Sequence, residues 1–167
     1  ALTLGFPNVG KSALINRLVR KKVVPSAPRA GVTRSLRWVR LGQSLDLLDA
    51  PGVLPPRLDD QDAALRLALC DDIGQGAYEV DCVAIAFLEI LFRISQEGKG
   101  GVSLRLFKER YGISFPLSEN ISKESHLWLK NAADRHTSGD VLRMSQRLLD
   151  DFRRTILGLI ALEFPSN

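Results

Sequence analysis

Eight consecutive residues near the start of the chain carry the clearest chemistry: Gly5-Phe-Pro-Asn-Val-Gly10-Lys11-Ser12. The spacing Gly-x4-Gly-Lys-Ser is that of a phosphate-binding loop. Glycines let the backbone curl until its N–H groups face inward, and a helix that starts just after them adds the partial positive charge of its first turn. Pro7, Asn8, Val9, Gly10, Lys11, Ser12 and Ala13 are the expected wall of such a site. Lys11 would place a full charge on the β- and γ-phosphates of a nucleotide, and Ser12 would offer a hydroxyl to Mg²⁺.

Two further groups follow in the order a nucleotide hydrolase needs. Thr33, in Gly31-Val-Thr-Arg34, is placed to complete Mg²⁺ coordination and to sense the γ-phosphate. Asp49-Ala-Pro-Gly52 closes an apolar stretch, as an aspartate that holds Mg²⁺ through water should, and the Gly52 N–H would meet the γ-phosphate. The metal set is therefore Ser12, Thr33 and Asp49, and the catalytic set Lys11, Thr33 and Gly52. Where a Ras-like hydrolase has a water-orienting glutamine, this chain has Val53, which cannot orient water.

These residues need a strand before the loop and a helix after it. Ala1 to Leu4 reads as a short strand and Ser12 to Arg20 as a helix, with Ala13, Leu14, Ile15, Leu18 and Val19 as its apolar stripe. Leu36 to Leu41 and Ser44 to Leu48 read as two strands joined at Gly42-Gln43, and Pro55-Pro56 closes the unit. Asp62 to Cys70 looks helical. From Tyr78 onward helical spacing dominates: Val80 to Leu91, Leu104 to Tyr111, Glu124 to Arg135 and Asp140 to Arg154, with Leu142, Met144, Leu148, Leu149 and Phe152 apolar in the last. Ile156 to Phe164 is apolar and of no clear period. The expected fold is an α/β, partial P-loop unit with a three-layer, mostly parallel sheet over residues 1–75, then an all-α domain over 76–167.

Charge is uneven. Residues 1–60 hold ten Lys or Arg against four Asp or Glu, and Arg17, Arg20, Lys21, Lys22, Arg29, Arg34, Arg37 and Arg40 carry the excess. Such clustering suits phosphate or nucleic-acid contact, or simply a solvated basic face. No apolar run reaches the 18 residues of a membrane span. Cys70 and Cys82 are too few and too far apart for a metal knuckle and are read as reduced and buried, or incidental. Trp38 and Trp128 are read as core residues, and His126 and His136 as surface residues.

Together the phosphate loop, Gly-Val-Thr-Arg and Asp-Ala-Pro-Gly resemble the YlqF/YawG (RbgA-like) group of circularly permuted GTPases. Leu67-Ala-Leu-Cys-Asp-Asp-Ile-Gly74, Leu106-Phe-Lys-Glu-Arg-Tyr-Gly112 and Leu149-Asp-Asp-Phe-Arg153 extend the resemblance over nearly the whole chain. Ser26 to Arg34 and Asp59 to Ala64 look most like cyanobacterial and plastid members. The resemblance implies GTP as ligand, with Mg²⁺, and a role in assembling the large ribosomal subunit through contact with its precursor and rRNA. Arg143, Arg147, Arg153 and Arg154 would make the RNA contact. It also implies a K⁺ ion held by Asn8, since asparagine at this place in the loop accompanies potassium activation. Hydrolysis would be slow until a ribosomal partner raises it. The implied state is a monomer, and the implied compartment the chloroplast stroma, with cytoplasm (cyanobacterial or bacterial) or mitochondrion as alternatives. A guanine-reading Asn-Lys-x-Asp is missing; Asn131-Ala-Ala-Asp134 lacks the lysine. In a permuted protein that motif lies upstream of the phosphate loop, so the chain is expected to be a piece that starts at the loop's strand. A P-loop ATPase or kinase, and a non-enzymatic RNA-binding module, remain as competing readings.

Overall fold

The computed structural model describes all residues except 28–30, 43–44, 55–58, 75, 77, 99–100, 116, 118–119 and 165–167. Arg29, Pro55-Pro56 and the Gln43-Ser44 half of the strand junction therefore lie outside the described residues. The chain forms two compact units, Ala1–Ala77 and Tyr78–Asn167.

The first unit holds β1 (Leu2–Thr3), α1 (Lys11–Val19), β2 (Arg37–Leu41), β3 (Leu45–Asp49) and α2 (Gln61–Leu69). The sheet order is β1-β3-β2. Between Leu41 and Leu45 the chain has three residues, too few for a crossover, so β2 and β3 pair antiparallel, with Trp38 opposite Leu48 and Arg40 opposite Asp46. β1 pairs parallel to β3, with Thr3 beside Asp49. The described sheet is thus small and mixed. Its parallel pair is the one that matters for chemistry, because it brings the C-terminal ends of β1 and β3 to the same side.

One face of the sheet is sealed by α1. Ile15, Val24, Val39 and Leu47 are buried together, with Val19 and Leu41 packed against them. The apolar stripe of α1 is narrower than expected. Ile15 is buried and Val19 half-buried, whereas Ala13, Leu14 and Leu18 face solvent. Asn16, in mid-helix, accepts hydrogen bonds from the Val23 and Val24 N–H groups at 2.8 and 3.0 Å and donates to the Val24 carbonyl at 2.9 Å. It fastens the chain leaving α1 back onto the helix. α2 begins at Asp60, whose carboxylate caps the Ala63 N–H at 3.0 Å.

The second unit holds α3 (Val80–Gln96), α4 (Leu104–Tyr111), α5 (Ile121–His136) and α6 (Val141–Arg153). α3 is apolar on most of its circumference and buries Val83, Ala84, Phe87, Leu88, Ile90, Leu91 and Ile94. A helix so apolar must be covered on several sides, and both α5 and α6 pack on it. α4 adds an aromatic cluster: Phe107 meets Phe115 edge-on at 5.0 Å, and Tyr111 meets Trp128 edge-on at 5.2 Å. Within the cluster's border Asp151 is almost fully buried. It takes two bonds from Arg110, both 2.8 Å, and one from the Tyr111 hydroxyl at 2.9 Å. Ile156 to Phe164 forms neither helix nor strand. Leu142, one of the apolar positions read in α6, is exposed. Among the described residues no helix is long and apolar enough to cross a membrane.

Candidate functional site

The parallel pairing of β1 with β3 puts the loop after Thr3 next to the segment after Asp49. Between β1 and α1 the backbone passes through the left-handed region at Asn8 (φ 58°) and Gly10 (φ 90°), the latter being the residue before α1. Asparagine tolerates this conformation and glycine has no Cβ to oppose it. The turn delivers the first N–H groups of α1, which have no acceptor inside the helix, toward the loop's concave side.

Each side chain of the motif has a defined place. The Lys11 ammonium folds back over the loop and donates to the carbonyls of Gly5 at 3.1 Å and Phe6 at 2.6 Å. The Ser12 hydroxyl donates to Asp49 Oδ2 at 2.8 Å and lies 2.9 Å from the Thr33 hydroxyl. Three oxygens from separate parts of the chain are therefore gathered at one point: the first turn of α1, the loop before β2 and the end of β3. Asp49 is fully buried, and its Oδ1 has no hydrogen-bond partner among the described residues. A buried carboxylate oxygen in that state is costly unless something charged or polar meets it. An all-oxygen donor set of this kind suits Mg²⁺, so the residues fit the metal.

Gly52 has a steric reason to be glycine. A Cβ there would lie 2.3 Å from Pro7 Cα and 2.4 Å from Pro7 N. The Val53 N–H donates to the Gly5 carbonyl at 3.3 Å, and the Val53 side chain is exposed. The Asp-x-x-Gly segment is thus laid directly on the phosphate loop. Pro7, Asn8, Gly10, Lys11, Ser12, Ala13, Thr33 and Gly52 line one cleft. Val9 is exposed and off the wall, and Asp49 is reached through Ser12. The Asn8 amide donates to the Cys70 carbonyl, at the end of α2, at 3.4 Å.

Several sequence expectations need correction. Trp38 is not a core residue: 71% of it is exposed, because β2 turns Val39, not Trp38, toward α1. Trp128 is in the core. Both cysteines are exposed rather than buried. His126 is at the surface, but His136 is half-buried, its Nε2 2.9 Å from the Tyr111 carbonyl. Asn131 and Asp134 sit on the exposed side of α5. Of the four arginines of α6 and its end, Arg143 and Arg154 are exposed. Arg147 and Arg153 are half-buried, and Arg153 donates to the Tyr78 hydroxyl at 3.3 Å. The residue that sequence reading passed over is Asn16. Asparagine is a poor helix former whose side chain competes for backbone groups. Its place one turn past Ser12 was the available signal.

This is a P-loop nucleotide-site arrangement, and comparison with known proteins gives the family. Residues 1–87 match the family described as 50S ribosome-binding GTPase, and the chain belongs to it. Ribosome biogenesis GTPase A of Bacillus pumilus is 43% identical over 91 residues, 54% of this chain and 32% of that protein. The protein of the same description from Bacillus cereus is 34% identical over 167 residues, 99% of this chain and 53% of that protein. The chain thus spans between a third and about half of the length of these relatives. A GDP-bound structure of TM YlqF shares the fold, with a TM-score of 0.56 over 99% of this chain and 61% of that one, at 24% identity.

Proposed function

We propose that the chain is the phosphate-binding and helical part of a circularly permuted GTPase that assists assembly of the large ribosomal subunit. The observation that carries this reading is the meeting of Ser12, Thr33 and Asp49 beside the Lys11 loop, with Asp49 Oδ1 left unpartnered. Ser12, Thr33 and Asp49 would hold Mg²⁺, which when bound neutralises charge on the β- and γ-phosphates. The first-turn N–H groups of α1 orient the phosphate chain, and Lys11 exchanges its two loop carbonyls for phosphate oxygens. Thr33 reports the γ-phosphate because its hydroxyl reaches the site beside the Ser12 hydroxyl. Gly52 lets the Asp-x-x-Gly backbone approach closely enough for its N–H to do the same.

Val53 leaves attacking water without a side-chain partner. Intrinsic hydrolysis is therefore slow and a ribosomal partner raises it. Asn8, on the cleft wall, is the residue proposed to hold K⁺, which would offset developing charge as an arginine would. In the helical domain, residues 76–167, the exposed Arg143 and Arg154 are the proposed rRNA contacts. The likeness of residues 26–34 and 59–64 to cyanobacterial and plastid members supports the chloroplast stroma, or a cyanobacterial cytoplasm, as the compartment.

Nucleotide competition on the full-length protein tests the reading. GTP and GDP should displace a labelled guanine nucleotide and ATP should not. Lys11→Ala should weaken binding by about 2–5 kcal/mol, ~30-fold or more. Preference for ATP would replace the reading with an ATPase or kinase, and full affinity in Lys11→Ala would remove the site.

A further inference from the structure

The face of the sheet turned away from α1 has no part in the nucleotide site. Residues paired across a sheet share a face. Leu2 pairs with Leu48 and Leu48 with Trp38, so these three form a row across all three strands. Leu2 is 54% and Trp38 71% exposed, and Leu48 is half-buried. Two residues along β2, on this same face, stands Arg40. Its guanidinium lies 3.7 Å from Asp46, with both side chains largely exposed. A solvent-exposed pair at that distance holds Arg40 only weakly. Every residue from Arg34 to Trp38 is also exposed. Arg34 and Arg37 are among these exposed residues.

We propose that Trp38 and Arg40, on the outer strand of the sheet, form a contact for single-stranded RNA. The indole face stacks an unpaired base, and the guanidinium meets the adjoining phosphate. An aromatic ring on an open strand surface, flanked by cations, has the chemistry that single-stranded nucleic acid selects. Arg34, Arg37 and Arg40, all exposed in the same stretch as Trp38, favour a polyanion over an apolar protein segment, which would require little charge around the row. The contact is separate from the cleft. It extends the proposed RNA contact to the first unit and takes only the nature of the RNA from the ribosomal reading.

The test uses the full-length protein and a fluorescently labelled 12-nucleotide oligouridylate, with affinity read by anisotropy between about 50 and 200 mM salt. Trp38→Leu should weaken binding roughly 5- to 100-fold, the range of one lost stacking contact. Trp38→Phe should keep most of the affinity. Arg40→Gln should lower the slope of log affinity against log salt by about 0.7. Guanine-nucleotide affinity, measured on the same variants, should stay at the wild-type value, which separates this proposal from the nucleotide reading. Wild-type RNA affinity in Trp38→Leu overturns the proposal, as does an equal loss in the leucine and phenylalanine variants. Normal RNA binding joined to lost binding of purified large-subunit proteins would give the face to a protein partner and overturn it too.

Discussion

At the scale of single residues, the candidate site is built from a few side chains that the fold brings together. Lys11, Ser12 and the loop before them were legible because their chemistry is local: the spacing alone fixes strand, turn and helix start. Thr33 and Asp49 were legible by order along the chain, but their meeting at Ser12 is a fact of the fold, made by the parallel pairing of β1 with β3. Trp38 was misread for a physical reason. Both faces of β2 and β3 carry apolar residues, so alternation could not say which face α1 covers. Gly52 gives the sharpest prediction at this scale. Gly52→Ala forces a methyl onto the Pro7 backbone, and overpacking of that kind costs about 1–3 kcal/mol. The loop must move, so nucleotide affinity should fall by a comparable amount in a calorimetric titration. An alanine variant with wild-type affinity would show that the close approach has no bearing on the site.

At the scale of elements, caps and one buried ion cluster decide how firmly the helices are held. Helix positions were readable from period and from cap residues such as Asp140, whose carboxylate takes the Arg143 N–H at 2.9 Å. Asp140→Ala should cost about 1 kcal/mol in urea unfolding; no change would mean the end of α6 is held otherwise. The Arg110–Tyr111–Asp151 cluster was not legible, because it joins residues 40 apart by geometry that no local pattern encodes. Asp151→Ala leaves Arg110 and the Tyr111 hydroxyl without their acceptor. Loss of a buried pair costs up to 3–5 kcal/mol, but Arg110 is about a third exposed, so about 2–3 kcal/mol is expected. Burial first, then the neighbouring Asp151 charge, raises the Tyr111 pKa well above its usual range. The folded state therefore keeps a proton that the unfolded chain releases above about pH 10. Stability from this group is complete below that pH and declines above it, and Tyr111→Phe should flatten the decline.

At the scale of the whole molecule, the chain is two compact units, one containing the phosphate-binding loop and one built of packed helices. The change from period-two and loop-rich sequence to helical spacing near Tyr78 made that division visible. Which surfaces would meet a partner was not visible, since a cationic face looks the same whether it meets solvent or a polyanion. If Asn8 holds K⁺, replacing K⁺ by Na⁺ should slow GTP hydrolysis by the full-length protein, and equal rates in both salts would withdraw that role. The account as a whole stands on the oxygen cluster of Ser12, Thr33 and Asp49. Its most direct test is the affinity of full-length protein for GTP as Mg²⁺ is varied, in wild type and in Asp49→Ala. Wild type should bind more tightly as Mg²⁺ rises and the variant should not respond. The same Mg²⁺ dependence in both proteins would contradict the assignment.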